Sequence, residues 1–193
     1  MRKNSKNKIL EAGAGIIHLK GFHNTGIQEI LQTAGVPKGS FYNYFSNKED
    51  FGLQIIDYFM GFFSSISKPI LDNPTLSPLE KIEKILEWFM DLFKSKDFAY
   101  GCPIGNLAQE MGDLSPAFRE KLKSAIEDMV DIYSGILAEA QIQGEISRHL
   151  DARKAAYFLV SSWHGALIHM KAVKGLEPLE NHKRFIFEYV LKP

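Results

Sequence analysis

Between positions 38 and 48 the chain carries side chains suited to reading a polyanion: Lys38, Gly39, Ser40, Tyr42, Asn43, Tyr44 and Lys48. Phe41 and Phe45 interrupt this run four residues apart, the spacing that puts two side chains on one helical face. With those rings turned inward, a period of 3.6 residues places Gly39 and Asn43 on the opposite side, flanked by Ser40 and Tyr42. A small hydrogen-bonding surface beside a lysine suits the DNA major groove, because base edges offer donors and acceptors that bulky apolar groups could not approach. Tyr44 and Lys48 add a phenol and an ammonium where the next helix begins, and the positive end of that helix also favours phosphate. Singly, each of these residues also fits a solvated helical corner. Together they favour DNA.

A second distinctive segment is Gly101-Cys102-Pro103-Ile104-Gly105-Asn106-Leu107-Ala108-Gln109-Glu110. Pro103 suits a first helical position, which puts Cys102 at an N-cap where amide hydrogens stabilise a thiolate. Asn106, one turn on, offers a hydrogen bond, and Lys171 or Lys174 is a candidate cationic neighbour. The alternative is that Cys102 packs as a small hydrophobe, the usual fate of a cysteine outside a disulfide. A nucleophile also needs a base within reach and a group to orient that base, and His164 or His169 is conceivable as the base. No glycine-rich phosphate loop, nucleophile elbow or metal motif supports such an enzyme. The six histidines show no tight metal-ligand spacing, so no metal and no cofactor is expected.

Helices must position these residues. The spacing predicts them at about 3–20, 27–34, 38–45, 47–67, 78–95, 104–111, 116–143, 152–174 and 179–191, with no sustained period-2 alternation, so the fold class is all-α. Thr25-Gly26-Ile27-Gln28, Ser46-Asn47-Lys48-Glu49 and Ser77-Pro78-Leu79-Glu80 each read as a capping box. Pro78 and Pro116 follow serines at first-turn positions, and Lys68-Pro69 with Asp72-Asn73-Pro74-Thr75 predicts a break after the fourth helix. Helices two and three meet at Ala34-Gly35-Val36, a helix-turn-helix corner with glycine at the turn. Ile27, Ile30 and Leu31 form the seam of the first of the pair.

The 193 residues are 45% hydrophobic and 24% charged, which suits a globular protein. The basic start leads into no apolar signal core, and Gln54 and Asp57 break the most hydrophobic stretch, Phe51 to Ile66. One cysteine excludes an internal disulfide, and a cytoplasmic protein with no membrane partner is expected. Net charge is zero, yet residues up to Lys48 carry seven basic side chains against two acidic, a local excess of +5. Such asymmetry fits a basic module joined to a differently employed body, although uneven scatter in a neutral protein would produce it too.

Gly21-Phe22-His23-Asn24-Thr25-Gly26, then Ile30, then Ala34 through Phe45, and Lys48-Glu49 resemble the DNA-binding domain of the tetracycline-repressor family in order and spacing. The resemblance implies a three-helix DNA-binding domain at 1–48 and a helical ligand-binding and dimerisation domain at 49–193. It implies phosphate contacts from Thr25, Tyr42, Tyr44 and Lys48, with Lys38, Gly39, Ser40 and Asn43 at or near base edges. Gly26 and Pro37 depart from the family pattern, each standing where a hydroxyl is usual. The implied function is a ligand-responsive regulator, a repressor released from a palindromic operator by a small molecule. The Cys102 segment also resembles a branch of the family that responds to electrophiles and oxidants through a cysteine there. A cysteine-dependent helical enzyme and a protein-binding adaptor remain the alternatives.

The body is rich in aromatics, and Phe59, Phe63, Trp88, Tyr133 and Trp163, with His164, Cys102 and Asn106, are the candidates to line or sense a ligand. Ordinary core packing accounts for most such rings, but apolar pockets also form between bundle helices. The eighth helix has two apolar stripes, Tyr157, Val160, Ser161, His164, Ile168, Lys171 and Ala155, Phe158, Ser162, Ala166, His169, Val173. The ninth adds Leu179, Phe185, Ile186, Tyr189 and Val190. A helix apolar nearly all round is buried on both sides, which predicts a homodimer with two-fold symmetry, or else a monomer with a thick core.

Overall fold

The computed structural model describes the backbone over residues 2–192 and side chains over 5–192. Arg2 and Lys3, counted in the basic excess, have side chains outside that range. The described residues form α1 (Arg2–Lys20), α2 (Ile27–Ala34), a short 3₁₀ helix (Lys38–Asn43), α3 (Lys48–Leu71), α4 (Pro78–Ser95), α5 (Pro103–Met111), α6 (Pro116–Gln143), α7 (Ala152–Val173) and α8 (Glu177–Phe185), closed by a π turn at Ile186–Val190. Among them there is no strand, as the sequence predicts. Among the described residues no helix is long and apolar enough to cross a membrane.

The helix ends follow local chemistry, with three departures from expectation. At Ser77 the capping box is present: the Ser77 hydroxyl accepts from the Glu80 amide at 3.4 Å, and Glu80 accepts from the Ser77 amide at 2.7 Å. Such a cap is worth about 1 kcal/mol. At α3 the cap sits one residue later than predicted. Asn47 Oδ1 accepts from the Asp50 amide at 2.8 Å, and Asp50 in turn accepts from the Ser46 amide at 2.8 Å. At α2 the N-cap is Gly26 with no side-chain cap, because the Thr25 hydroxyl donates to the Gly21 carbonyl at 2.6 Å instead. The predicted break at Lys68-Pro69 is absent. Pro69 lies inside the last turn of α3, which runs on past it, and the chain leaves the helix at Asp72–Asn73. There Asn73 Oδ1 accepts from the Thr75 amide at 3.0 Å.

Two compact units result, one of Met1–Phe63 with Pro103–Ala125, the other of Ser64–Cys102 with Ile126–Pro193. Residues 1–48 thus lie in the first unit together with most of α3, all of α5 and the beginning of α6. Its core joins Ile9, Ile17, Phe22, Ile30, Leu31, Phe41, Phe45, Phe51, Ile55, Leu107 and Phe118, each no more than 5% exposed. Phe41, Phe45 and Phe51 meet with ring centroids 5.0–5.6 Å apart. Full burial of each such ring contributes roughly 1.5–3 kcal/mol. Gly52 permits the approach of α6. A Cβ there would overlap Phe118 Cζ and stand 2.5 Å from Phe22 Cε2.

The second unit packs α4, most of α6, α7 and α8 around Ile82, Leu86, Val130, Leu137, Leu159, Trp163, Met170 and Leu179. Lys183 on α8 bridges Glu83 and Glu87 of α4 at 2.9 and 2.8 Å. On α7 the buried face is Ala155, Ala156, Leu159, Val160, Trp163, Leu167 and Met170, which cuts across both predicted stripes. Tyr157, Phe158, Ile168 and Val173 are exposed, as are Phe185 and Tyr189 at the C-terminal end. The predicted helix 179–191 starts earlier, at Glu177, and gives way to the π turn after Phe185.

Candidate nucleic-acid interface

The corner between α2 and the 3₁₀ helix is set by Gly35, whose φ of 63° lies in the left-handed region where glycine has no Cβ penalty. The Val36 amide returns to the Leu31 carbonyl at 3.1 Å and closes α2. Pro37 follows in an extended conformation with ψ 148°, so it precedes the next helix instead of opening its first turn. That helix is 3₁₀ over Lys38–Asn43, where an α-helix to residue 45 was predicted. Only at its end does the Phe45 amide reach back four residues to Phe41, at 3.0 Å.

The change of helix type leaves the inward and outward sides as the sequence implied. Phe41 and Phe45 are 0% and 1% exposed and anchor the element, while Lys38, Gly39, Tyr42 and Asn43 are exposed and Ser40 and Tyr44 half-buried. At three residues per turn Gly39 stacks with Tyr42, and Ser40 with Asn43, giving two short polar columns beside Lys38. Tyr42 is 66% exposed, its ring edge-on to Phe41. A Cβ added at Gly39 would meet nothing within 4 Å, so no packing inside the chain requires a glycine there.

Thr25 and Lys48, the other two residues expected at phosphate, are tied to the turn after α1. Thr25 is 1% exposed, its hydroxyl engaged with Gly21. The Lys48 ammonium donates to the His23 carbonyl at 3.2 Å and lies 4.6 Å from the Phe22 ring centroid. Partial burial lowers its pKa, and the nearby Glu110 carboxylate pulls the other way. Hydrogen bonds from the Gln54 side chain and the Ser46 amide hold the Asp50 carboxyl below the usual carboxylate range, which steadies the start of α3.

Sequence reasoning missed Glu110. Its two oxygens accept from the backbone amides of Phe22 at 2.8 Å and His23 at 2.6 Å. No pattern in a single sequence signals that bond, because the acceptor lies 87 and 88 residues from main-chain donors. Ser115 was expected only as a residue preceding a helix. Its hydroxyl accepts from the Phe118 amide at 3.3 Å and donates to Glu49 at 2.5 Å.

The candidate ligand residues divide between the units. Phe59, Phe63 and Asn106 belong to the first, where Phe59 meets His18 edge-on at 5.9 Å. Cys102, Trp88, Tyr133, Trp163 and His164 belong to the second. Trp88 packs on Phe89 at 5.2 Å, and Trp163 on His182 at 5.3 Å. Tyr133 is buried, and burial, followed by the charge of nearby Cys102, pushes its phenol well above the ordinary value. Cys102 is half-buried directly before α5. Burial likewise lowers the pKa of His164, whose Nε2 is buried without a hydrogen-bond partner. Two open grooves of about 580 and 610 Å³ mark the second unit's surface, and none of these eight residues lines either. Among the described residues no group of three His, Cys, Asp or Glu side chains could hold a metal ion.

Residues 9–55 match the family model for bacterial regulatory proteins of the tetR family, and residues 78–186 match the tetracyclin repressor-like C-terminal domain. The HTH-type transcriptional repressor DhaR of Mycobacterium sp. (strain GP1) is 31% identical over 186 residues, 96% of this chain and 92% of its own. The transcriptional regulator AcuR of Cereibacter sphaeroides is 35% identical over 173 residues, 89% of this chain and 79% of its own. The crystal structure of regulatory protein TetR from Rhodobacter sphaeroides superposes with a TM-score of 0.90 at 32% identity, covering 95% of this chain and 97% of that one. The resemblance carried by residues 21–49 is borne out. The chain belongs to the tetracycline-repressor family and is a ligand-responsive, DNA-binding transcriptional regulator.

Proposed function

We propose that this chain is a cytoplasmic homodimeric repressor, not an enzyme, that holds a palindromic operator and is released by a small molecule. Residues 1–48 form its DNA-binding part, and residues 49–193 bind the ligand and the second copy. One observation carries the reading. An outward surface of Lys38, Gly39, Ser40, Tyr42 and Asn43 stands on two buried phenylalanines, and its glycine serves no packing need within the chain. Lys38, Gly39, Ser40 and Asn43 meet base edges, while Tyr42, Tyr44 and Lys48 meet phosphate. Thr25 acts through the turn after α1, whose His23 carbonyl accepts from Lys48. DhaR, named a transcriptional repressor, supports repression over activation. The exposed Tyr157, Phe158, Ile168, Val173, Phe185 and Tyr189 offer the apolar face on which two copies pair, with two reading heads for two half-sites.

For release, a half-buried thiol beside a buried phenol favours an electrophile. Cys102 sulfur adds to an activated C=C or C=O, a C–S bond forms, and the thiol proton ends on the acceptor, so no oxidant or leaving group is needed. A reversible ligand among the aromatics of the body is the second reading. Gel shifts with wild type and Cys102→Ser, with and without a quinone, separate them. Release of the wild type alone supports the thiol, whereas equal release of both, or of neither, removes it. Turnover of a thioester, abolished in Cys102→Ala, would contradict the non-enzymatic reading.

A further inference from the structure

The turn after α1 carries main-chain amides outside any helix, and a residue from α5 satisfies two of them. Glu110 Oε2 accepts from Phe22 N–H at 2.8 Å and Oε1 from His23 N–H at 2.6 Å. The carboxylate lies so close that a Cβ on Gly21, itself at φ +83°, would stand 2.9 Å from Oε2. At the same turn, the Lys48 ammonium donates to the His23 carbonyl and sits over the Phe22 ring. Phe22 is backed by Phe118 at 5.0 Å, and Ser115 reaches Glu49, the residue after Lys48. One short stretch, residues 110–118, therefore grips both the turn and the helix start that carries Lys48.

We propose that Glu110 is a positioning residue for DNA recognition, holding the α1–α2 turn and Lys48 in the arrangement that meets the phosphate backbone. It touches no DNA. Its charge opposes DNA, because a carboxylate near the Lys48 ammonium subtracts from the local attraction for phosphate. Removing it therefore has two effects of opposite sign. Loss of charge strengthens attraction to any duplex, and loss of the two bonds loosens the geometry that a particular sequence needs.

The proposal rests on the DNA-binding reading, and the test separates the two. The full-length wild-type chain selects a duplex from a randomised library. Affinity for that duplex, and for an unselected duplex of equal length, is then measured for wild type, Glu110→Gln, Lys48→Ala and the double variant, with melting followed by circular dichroism. Glu110→Gln should lose about tenfold or more on the selected duplex, the size of a lost charge-assisted hydrogen bond, and lose nothing on the unselected one. In the Lys48→Ala background the same change should have a much smaller effect, since the two residues act on one turn. If Glu110→Gln does not fold, Glu110→Asp, which keeps the charge but shortens the reach, must show the same selective loss. A selection that enriches no duplex overturns the DNA-binding reading and this proposal with it. Enrichment followed by wild-type affinity in the variant, equal loss on both duplexes, or full additivity with Lys48→Ala overturns the proposal alone.

Discussion

Gly39→Ala separates folding from recognition. The added methyl meets nothing within 4 Å, and the Gly39 backbone is outside the left-handed region, so the fold accepts it. Removing a glycine also narrows the unfolded ensemble, which stabilises the chain by about 0.4–1 kcal/mol. Against DNA the same methyl stands on the exposed column that Gly39 shares with Tyr42. An extra carbon in a closely packed contact costs about 1–3 kcal/mol, roughly a 5- to 150-fold loss of affinity. Urea unfolding and fluorescence anisotropy on a selected duplex read the two quantities from one preparation. Unchanged stability, or a slight gain, with weakened binding is the expected pair. Wild-type affinity would refute the placement of Gly39 at the DNA, and a joint loss of stability and affinity would refute the claim that its neighbourhood is empty.

Other perturbations test the remaining parts. Gly52→Ala places a carbon against Phe22 and Phe118 and should destabilise the first unit by about 1–3 kcal/mol, visible as a lower urea midpoint; an unchanged midpoint would contradict that packing. Tyr42→Phe should weaken binding to every duplex, whereas Asn43→Ala or Lys38→Ala should relax preference at particular base pairs by about 1–3 kcal/mol, and an operator scan with uniform loss in both classes would reject these roles. His182 is held at a pKa of about 4 by burial on α8, below its unfolded value of about 6.5, with Nε2 2.9 Å from the Ser162 hydroxyl and Nδ1 buried without a partner. The unfolded chain therefore takes up the proton first, and stability should fall as the pH drops from about 6.5 towards 4. The shift corresponds to about 3 kcal/mol at most, nearer 2 after allowing for the group's partial exposure. His182→Gln should flatten that stretch of the stability–pH curve, and an unaltered curve would contradict the assignment.

Local chemistry was legible and long-range chemistry was not. Ser77 and Glu80 sit three residues apart, so their reciprocal cap could be read directly, as could the inward turn of Phe41 and Phe45 from their spacing. At Ser46-Asn47 two good capping residues stand side by side, and Asp50, three residues beyond Asn47, selects the second. At Thr25 a hydroxyl free to choose closed the end of α1 and did not cap α2. The 3₁₀ form of the reading helix escaped the pattern because Phe45 lies just beyond it, its amide bonded back four residues to Phe41, so both rings are buried as the α-helical spacing implied. On α7 nearly every position is apolar or small, so periodicity could not tell the buried face from the exposed one. Glu110 looked like any polar residue on a short helix, since its bonds go to backbone amides that carry no residue identity.

The salt dependence of affinity for a selected inverted-repeat duplex tests the central claim most directly. Two heads reading half-sites about one turn apart, ~34 Å, and together making roughly 6–10 phosphate contacts should bind about 10³–10⁵-fold more weakly at 200 mM than at 50 mM salt. An affinity nearly independent of salt, or one copy of the chain bound per inverted repeat, would contradict it.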